Sequence, residues 1–153
     1  TPAPKPTPKP QPRPPLPGPC SGNECNPAPT NAWTATYYNT MDLSGPVVLQ
    51  RAERRPCWNC GWNSPVAGVN ADHWSARWTT SSYAVGGTYR LSVKSDDGVR
   101  IFIDGVPVLN EWRVQAVRGF FVDVVIPRGW HTWTIEYFED TGVAELCFEA
   151  KLL

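Results

Sequence analysis

From residue 33 onward, apolar and polar residues alternate in short runs separated by Gly, Pro, Asn or Asp. Thr88-Tyr89-Arg90-Leu91-Ser92-Val93 alternates cleanly, and so does Ala144-Glu145-Leu146-Cys147-Phe148-Glu149-Ala150. A period of two puts successive side chains on opposite faces, so each run predicts a strand with one buried face. Read this way, strands fall near 33–38, 46–53, 73–79, 87–94, 99–104, 106–109, 117–126, 130–138 and 143–152. Asp104-Gly105 between β-branched residues signals a tight hairpin. No window repeats convincingly at the helical period. Residues 54–72 fall outside the regularity and read as a long loop, a kind of segment that often carries function on a β scaffold. The expected fold is all-β, an antiparallel two-sheet sandwich.

The first thirty residues are a different polymer. They hold 12 of the chain's 17 prolines, and nearly every second residue from Thr1 to Pro19 is proline. No aromatic precedes Trp33, whereas all eight tryptophans lie between Trp33 and Trp133. Proline fixes φ and removes a donor, so residues 1–30 predict an extended polyproline-II arm, rising roughly 3 Å per residue. Such an arm is either a spacer or a docking segment that joins identical subunits through residues 1–19. Thr1 and Thr7, beside prolines, are compatible with O-linked sugar. Residues 31–153 are then the sandwich domain, small but long enough for a core.

Charge narrows the function. Lys+Arg and Asp+Glu are both 14, so the basic footprint of a nucleic-acid binder is missing. No run of 18 apolar residues is present to span a membrane, and no apolar stretch opens the chain, so no leader is expected in this form.

Four of the five cysteines come as close pairs, Cys20/Cys25 and Cys57/Cys60, with Cys147 alone. Two readings stand: disulfides in an oxidising compartment, or a four-cysteine zinc site. The proline tail, the abundant tryptophan and the low charge favour disulfides. The simplest pairing joins Cys20 to Cys25 and Cys57 to Cys60, leaving Cys147 unpaired; as an exposed odd cysteine it is otherwise bonded to a loop cysteine or to another chain. Cys147 alternates with Glu145 and Glu149 and is expected to face outward.

The sharpest chemical signal is Ser95-Asp96-Asp97-Gly98 between two strands. Adjacent carboxylates repel unless a cation lies between them, and Ca²⁺ takes 6–8 oxygen ligands. Neighbouring side chains on a strand diverge, so an ordinary trans pair does not converge easily on one ion, whereas a cis peptide could aim both carboxylates the same way. The alternative is a plain β-turn, since Asp-Asp-Gly is good turn chemistry. Asp104 reads as a hairpin residue. Glu139-Asp140-Thr141-Gly142 is a second acidic turn, placing Glu139 and Asp140 as further candidate ligands. Trp58, Trp62 and Trp112 are candidate platforms for sugar rings, while Trp33, Trp74, Trp78 and Trp133 are expected in the core. No enzyme is expected. The two histidines, His73 and His131, fall in predicted strands, and no nucleophile-elbow, zinc-protease or nucleotide-loop motif is present.

In combination these residues resemble a known family, the β-sandwich module first named from the anthrax toxin protective antigen, the fourteen-kilodalton domain. The resemblance is carried by Trp33-Thr34-Ala35-Thr36-Tyr37-Tyr38-Asn39, Leu43-Ser44-Gly45, Trp62-Asn63-Ser64-Pro65, Trp74-Ser75-Ala76-Arg77-Trp78-Thr79 and Gly87-Thr88-Tyr89-Arg90. It continues through Ser95-Asp96-Asp97-Gly98-Val99-Arg100, Ile103-Asp104-Gly105, Trp112, Gly129-Trp130-His131, Glu136-Tyr137 and Gly142-Val143-Ala144. It spans about residues 31–153. The family includes flocculins and adhesins, and its modules are appended to bacterial glycosidases. The resemblance implies an antiparallel sandwich with an extracellular role. In the lectin members, cis-linked consecutive aspartates hold Ca²⁺, which coordinates sugar hydroxyls; carried over, these are Asp96 and Asp97. Those members add an asparagine from a late loop, where this chain has Glu139-Asp140-Thr141-Gly142. The Cys57-Trp58-Asn59-Cys60 insert and the proline tail depart from the family pattern.

The expected function is an extracellular carbohydrate-binding or adhesion module, secreted or on a cell surface, with glycans as partners and Ca²⁺ as cofactor. The alternatives are a subunit of an extracellular assembly joined by the proline arm, and an accessory module of a secreted glycoside hydrolase.

Overall fold

A computed structural model describes residues 33–153. The proline arm, Thr1, Thr7, and Cys20 with Cys25 lie outside the described residues. The rest forms ten strands: β1 Trp33–Tyr38, β2 Val47–Glu53, β3 Cys57–Gly61, β4 Trp74–Ala84, β5 Gly87–Asp96, β6 Gly98–Ile103, β7 Val106–Glu111, β8 Arg118–Ile126, β9 Gly129–Glu139 and β10 Ala144–Leu152. They build a six-stranded sheet, β2-β1-β4-β9-β6-β7, and a four-stranded sheet, β3-β10-β5-β8. All pairings are antiparallel. The all-β sandwich expected from the alternation is therefore the observed fold.

The inward positions follow the period of two. Ala76 and Trp78 of β4, Ile135 and Tyr137 of β9, Leu91 and Val93 of β5, and Leu146 and Phe148 of β10 meet between the sheets. Trp58, Trp74, Trp78, Tyr37 and Tyr137 form its aromatic centre, with ring centroids 5.1–6.0 Å apart. Offset and edge-on contacts of this kind add to the area they bury.

Nine strands sit where the alternation predicts them. The tenth, β3, lies inside the segment read as a loop. It has five residues, and among the described residues its only strand partner is β10. It corrects three expectations. Alternation along β3 turns Trp58 and Cys60 inward and Cys57 outward, so Cys57 and Cys60 point to opposite faces and are not bonded to each other. Cys57 instead stands directly opposite Cys147 on β10, and these two form a disulfide. Cys147 does face outward, and of its expected fates it takes the bond to a loop cysteine, since Cys57 lies in the segment read as a loop. Trp58 is only 3% exposed and packs in the core, so it is no sugar platform.

Two smaller corrections concern His73 and β4. His73 precedes β4 with φ 57°, its N–H donating to Asp140 O at 2.8 Å. β4 continues past Thr79 through a polar run to Ala84, because β9 pairs with it along its whole length. The Asp104-Gly105 hairpin forms as expected, with φ 51° and 78°, the left-handed pair of a type I′ turn.

The antiparallel course sorts the connections to two ends of the sandwich. One end carries residues 39–46, 62–73, 97, 112–117 and 140–143. The other carries 54–56, 85–86, 104–105 and 127–128, together with Trp33.

Candidate functional site

At the first end the chain changes sheets within a single residue. β5 ends at Asp96 in the four-stranded sheet, and β6 begins at Gly98 in the six-stranded sheet. Asp97 alone forms the corner, and the Asp96–Asp97 peptide is cis. The return crossing from β9 to β10 lies beside it, because Phe138 pairs with Gly98 and Glu139 follows Phe138. The register therefore brings Glu139 against the two aspartates. Carboxylate oxygens of Asp96, Asp97 and Glu139 lie within 4.8 Å of one another, and all three residues are buried.

The corner is held by donors. Asp97 Oδ1 accepts the Gln115 backbone N–H at 3.0 Å, and Oδ2 accepts that of Asp140 at 2.9 Å. Its backbone carbonyl accepts Ser95 Oγ at 2.8 Å and Gln115 Nε2 at 3.0 Å. The Tyr137 hydroxyl donates to the Asp96 carbonyl. Burial pushes the Tyr137 hydroxyl well above its ordinary pKa, and the charges of Glu139 and Asp97 push it further the same way. Gly98 is required by space: a Cβ there would lie 2.0 Å from Phe138 Cε1.

Of the two acidic-turn candidates, Glu139 joins the cluster and Asp140 does not. The Asp140 carboxylate pairs with His73 Nε2 at 3.2 Å, leaving only its backbone N–H on Asp97. Sequence reasoning missed Gln115. It lies between β7 and β8 where no alternation marks it, and only the fold carries it to Asp97.

The donor set fits a hard cation. Three buried carboxylates at this separation repel strongly in a low dielectric unless protonated or neutralised by a counter-ion. All their ligand atoms are oxygens, the preference of Ca²⁺. The Gln115 carboxamide beside Asp97 also leaves its Oε1 buried without a hydrogen-bond partner, a neutral oxygen of the same hard type.

The family model of the PA14 domain matches residues 29–145. The chain belongs to the PA14 domain family. Among curated proteins, the anti-sigma-I factor RsgI3 of Acetivibrio thermocellus is 30% identical over 121 residues, covering 76% of this chain and 18% of that protein. The chain thus spans less than a fifth of that relative. Among solved structures, an anti-sigma factor domain-containing protein from Clostridium clariflavum superposes with a TM-score of 0.72 at 24% identity, covering 79% of this chain and 42% of that one. A PA14 sugar-binding domain from an RTX adhesin superposes with a TM-score of 0.61 at 18% identity, over 79% and 89%.

In this PA14 domain two of the candidate tryptophans stand at the acidic end. Trp62 follows β3, whose Gly61 lies opposite Ala144, next to the Glu145 that pairs with Asp96. It is 37% exposed and presents apolar surface there. Trp112 follows β7, whose Glu111 pairs with Val99. Its ring is covered by the Arg100 guanidinium at 3.8 Å and packs edge-on against Phe138 at 4.8 Å. Trp112 therefore braces the corner, with the Arg100 guanidinium over its ring. Among the described residues no helix is long and apolar enough to cross a membrane.

Proposed function

We propose that this PA14 domain is an extracellular glycan-binding module in which Asp96, Asp97 and Glu139 hold Ca²⁺. The observation behind this reading is the convergence of three buried carboxylates on a corner the sequence marks as Asp-Asp-Gly. Bound Ca²⁺ would supply a positive charge for sugar hydroxyls. The chain's own groups do the rest. Gln115 and Asp140 N–H groups fix the Asp97 carboxylate, Tyr137 anchors the Asp96 carbonyl, and Trp62 offers an apolar face beside the corner. The Cys57–Cys147 disulfide fits an oxidising compartment.

Calorimetry with CaCl₂ on the full chain tests the metal. Saturable binding is expected, lost in Asp97→Asn and kept in Asp140→Asn, whose side chain faces His73. A glycan array with and without chelator then separates an ion that touches sugar from one that only holds the corner. Absence of Ca²⁺ binding by folded protein would sink the metal mechanism.

A second reading is favoured by the 30% identity to an anti-sigma factor. The module would then be the ligand-sensing part of a longer regulatory protein. Glycan-dependent output from a sigma-factor reporter, abolished by Asp97→Asn in the full-length gene, is the expected result. An output indifferent to glycan would reject it.

A further inference from the structure

The end of the sandwich opposite the acidic corner holds a cleft of about 530 Å³, within the size range of small-ligand sites. It opens where the two sheets part. Trp133 of β9 and Phe148 of β10 are its buried floor, Trp33 of β1 forms a wall, and Tyr83 and Trp130 stand at its rim. Trp130 is 70% exposed and Tyr83 46%, side by side on paired strands with ring centroids 5.7 Å apart. The Tyr83 hydroxyl accepts Arg128 Nε at 2.9 Å, which holds the ring in place. The hydroxyl residues Thr80, Ser81 and Ser82 run along one side, and among the described residues no carboxylate lines the cleft.

One further observation points to a ligand. Trp133 is 7% exposed, and its indole N–H is buried with no hydrogen-bond partner. Trp58 and Trp74 carry the same unpartnered N–H in the closed core, but of the three only Trp133 lines the cleft, where an acceptor can approach it. The ligand chemistry must combine an apolar face for an exposed indole, several hydroxyls for a row of hydroxyls, and an acceptor for a buried N–H. It needs no cation, because the lining supplies no anionic ligand.

We infer that this cleft is a second glycan-binding site, independent of metal, in which a pyranose ring lies on Trp130 beside Tyr83 and its oxygens meet Ser81, Ser82 and the Trp133 N–H. The inference does not depend on the Ca²⁺ reading, since the two sites occupy opposite ends of the sandwich. A module with both would hold one polysaccharide chain at two points or bridge two chains, and the effective concentration at the second contact would raise avidity.

The test uses the full chain in EDTA, run by affinity electrophoresis through gels containing soluble xylan, mixed-linkage β-glucan or polygalacturonate. Retardation by at least one polymer is expected, weakened about tenfold in Trp130→Ala, the loss of one aromatic contact. Val117→Ala, an exposed change at the opposite end of the sandwich, should bind like wild type. Trp133→Phe keeps a ring but removes the N–H and should also weaken binding; thermal melts confirm that each variant is folded. No retardation by any of the three polymers, or retardation unchanged in Trp130→Ala, overturns the site. Loss in Asp97→Asn with retention in Trp130→Ala would move the binding to the acidic corner and also overturn it. A synthetic peptide of residues 1–19 serves as competitor. If the peptide, and none of the polymers, binds in a Trp130-dependent way, the cleft is a proline-segment dock and the glycan assignment is wrong.

Discussion

At the scale of single residues, position decides what a side chain does. Gly98 is glycine because Phe138 fills the space of a Cβ. Gly98→Ala is expected to cost about 1–3 kcal/mol by overpacking, read as a lower denaturant midpoint. It should also weaken Ca²⁺ binding, since the neighbouring residue is Asp97. Asp104 and His131 form a second informative pair, Nδ1 to Oδ2 at 2.6 Å, while His131 Nε2 meets Pro127 O at 2.7 Å. The hydrogen bond to Asp104, followed by that to Pro127, raises the His131 pKa above 6.5, and the same contact to His131 lowers that of Asp104 below 3.8. A raised histidine stabilises the fold fully below its unfolded value and loses that share as pH rises through its folded value. A lowered carboxylate stabilises fully above its unfolded value and loses its share as pH falls through its folded one. Both contributions are therefore complete between pH 3.8 and 6.5. An NMR titration should place His131 above 6.5, falling back toward it in Asp104→Asn.

At the scale of elements, β3 is the informative strand. Five residues with one strand partner form a marginal edge, and the Cys57–Cys147 bond fastens it to β10 across a separation of 90 residues. In the chain-entropy account a loop of that length is worth about 4.6 kcal/mol. The Cys57→Ser/Cys147→Ser double variant is expected to melt lower by that order and to exchange the amides of β3 fastest. Trp58→Ala should cost about 3–5 kcal/mol, because it empties an aromatic core position. Trp62→Ala, two residues beyond Cys60 and exposed, should stay within about 0.5 kcal/mol in stability. The contrast between two tryptophans four residues apart, read by urea unfolding, checks which one the core owns.

At the scale of the molecule, the two ends of the sandwich differ in chemistry. The acidic end gathers carboxylates from two sheet crossings, and the opposite end opens an aromatic cleft. A ligand that binds only the folded state raises its stability, by about 2.7 kcal/mol at a hundredfold excess over Kd. Saturating Ca²⁺ should thus raise the melting temperature of wild type on the order of 10 °C. It should leave Asp97→Asn unmoved. Soluble polysaccharide in EDTA should protect the protein through Trp130 instead.

The nine alternating strands, the Asp104-Gly105 hairpin, the tryptophans of the core and the Asp-Asp-Gly corner were legible along the chain, because each is a local pattern with a period of two or a turn residue at a known place. Membership in the PA14 family was legible for the same reason. The partner of Cys57, the inward turn of Trp58, the choice of Glu139 over Asp140 and the role of Gln115 were not. Each depends on which strands become neighbours, and strand order joins residues tens of positions apart that no local period relates. The cleft is the extreme case. Trp33, Tyr83, Trp130 and Phe148 come from four strands and two sheets, and only the packing of those sheets makes them one surface.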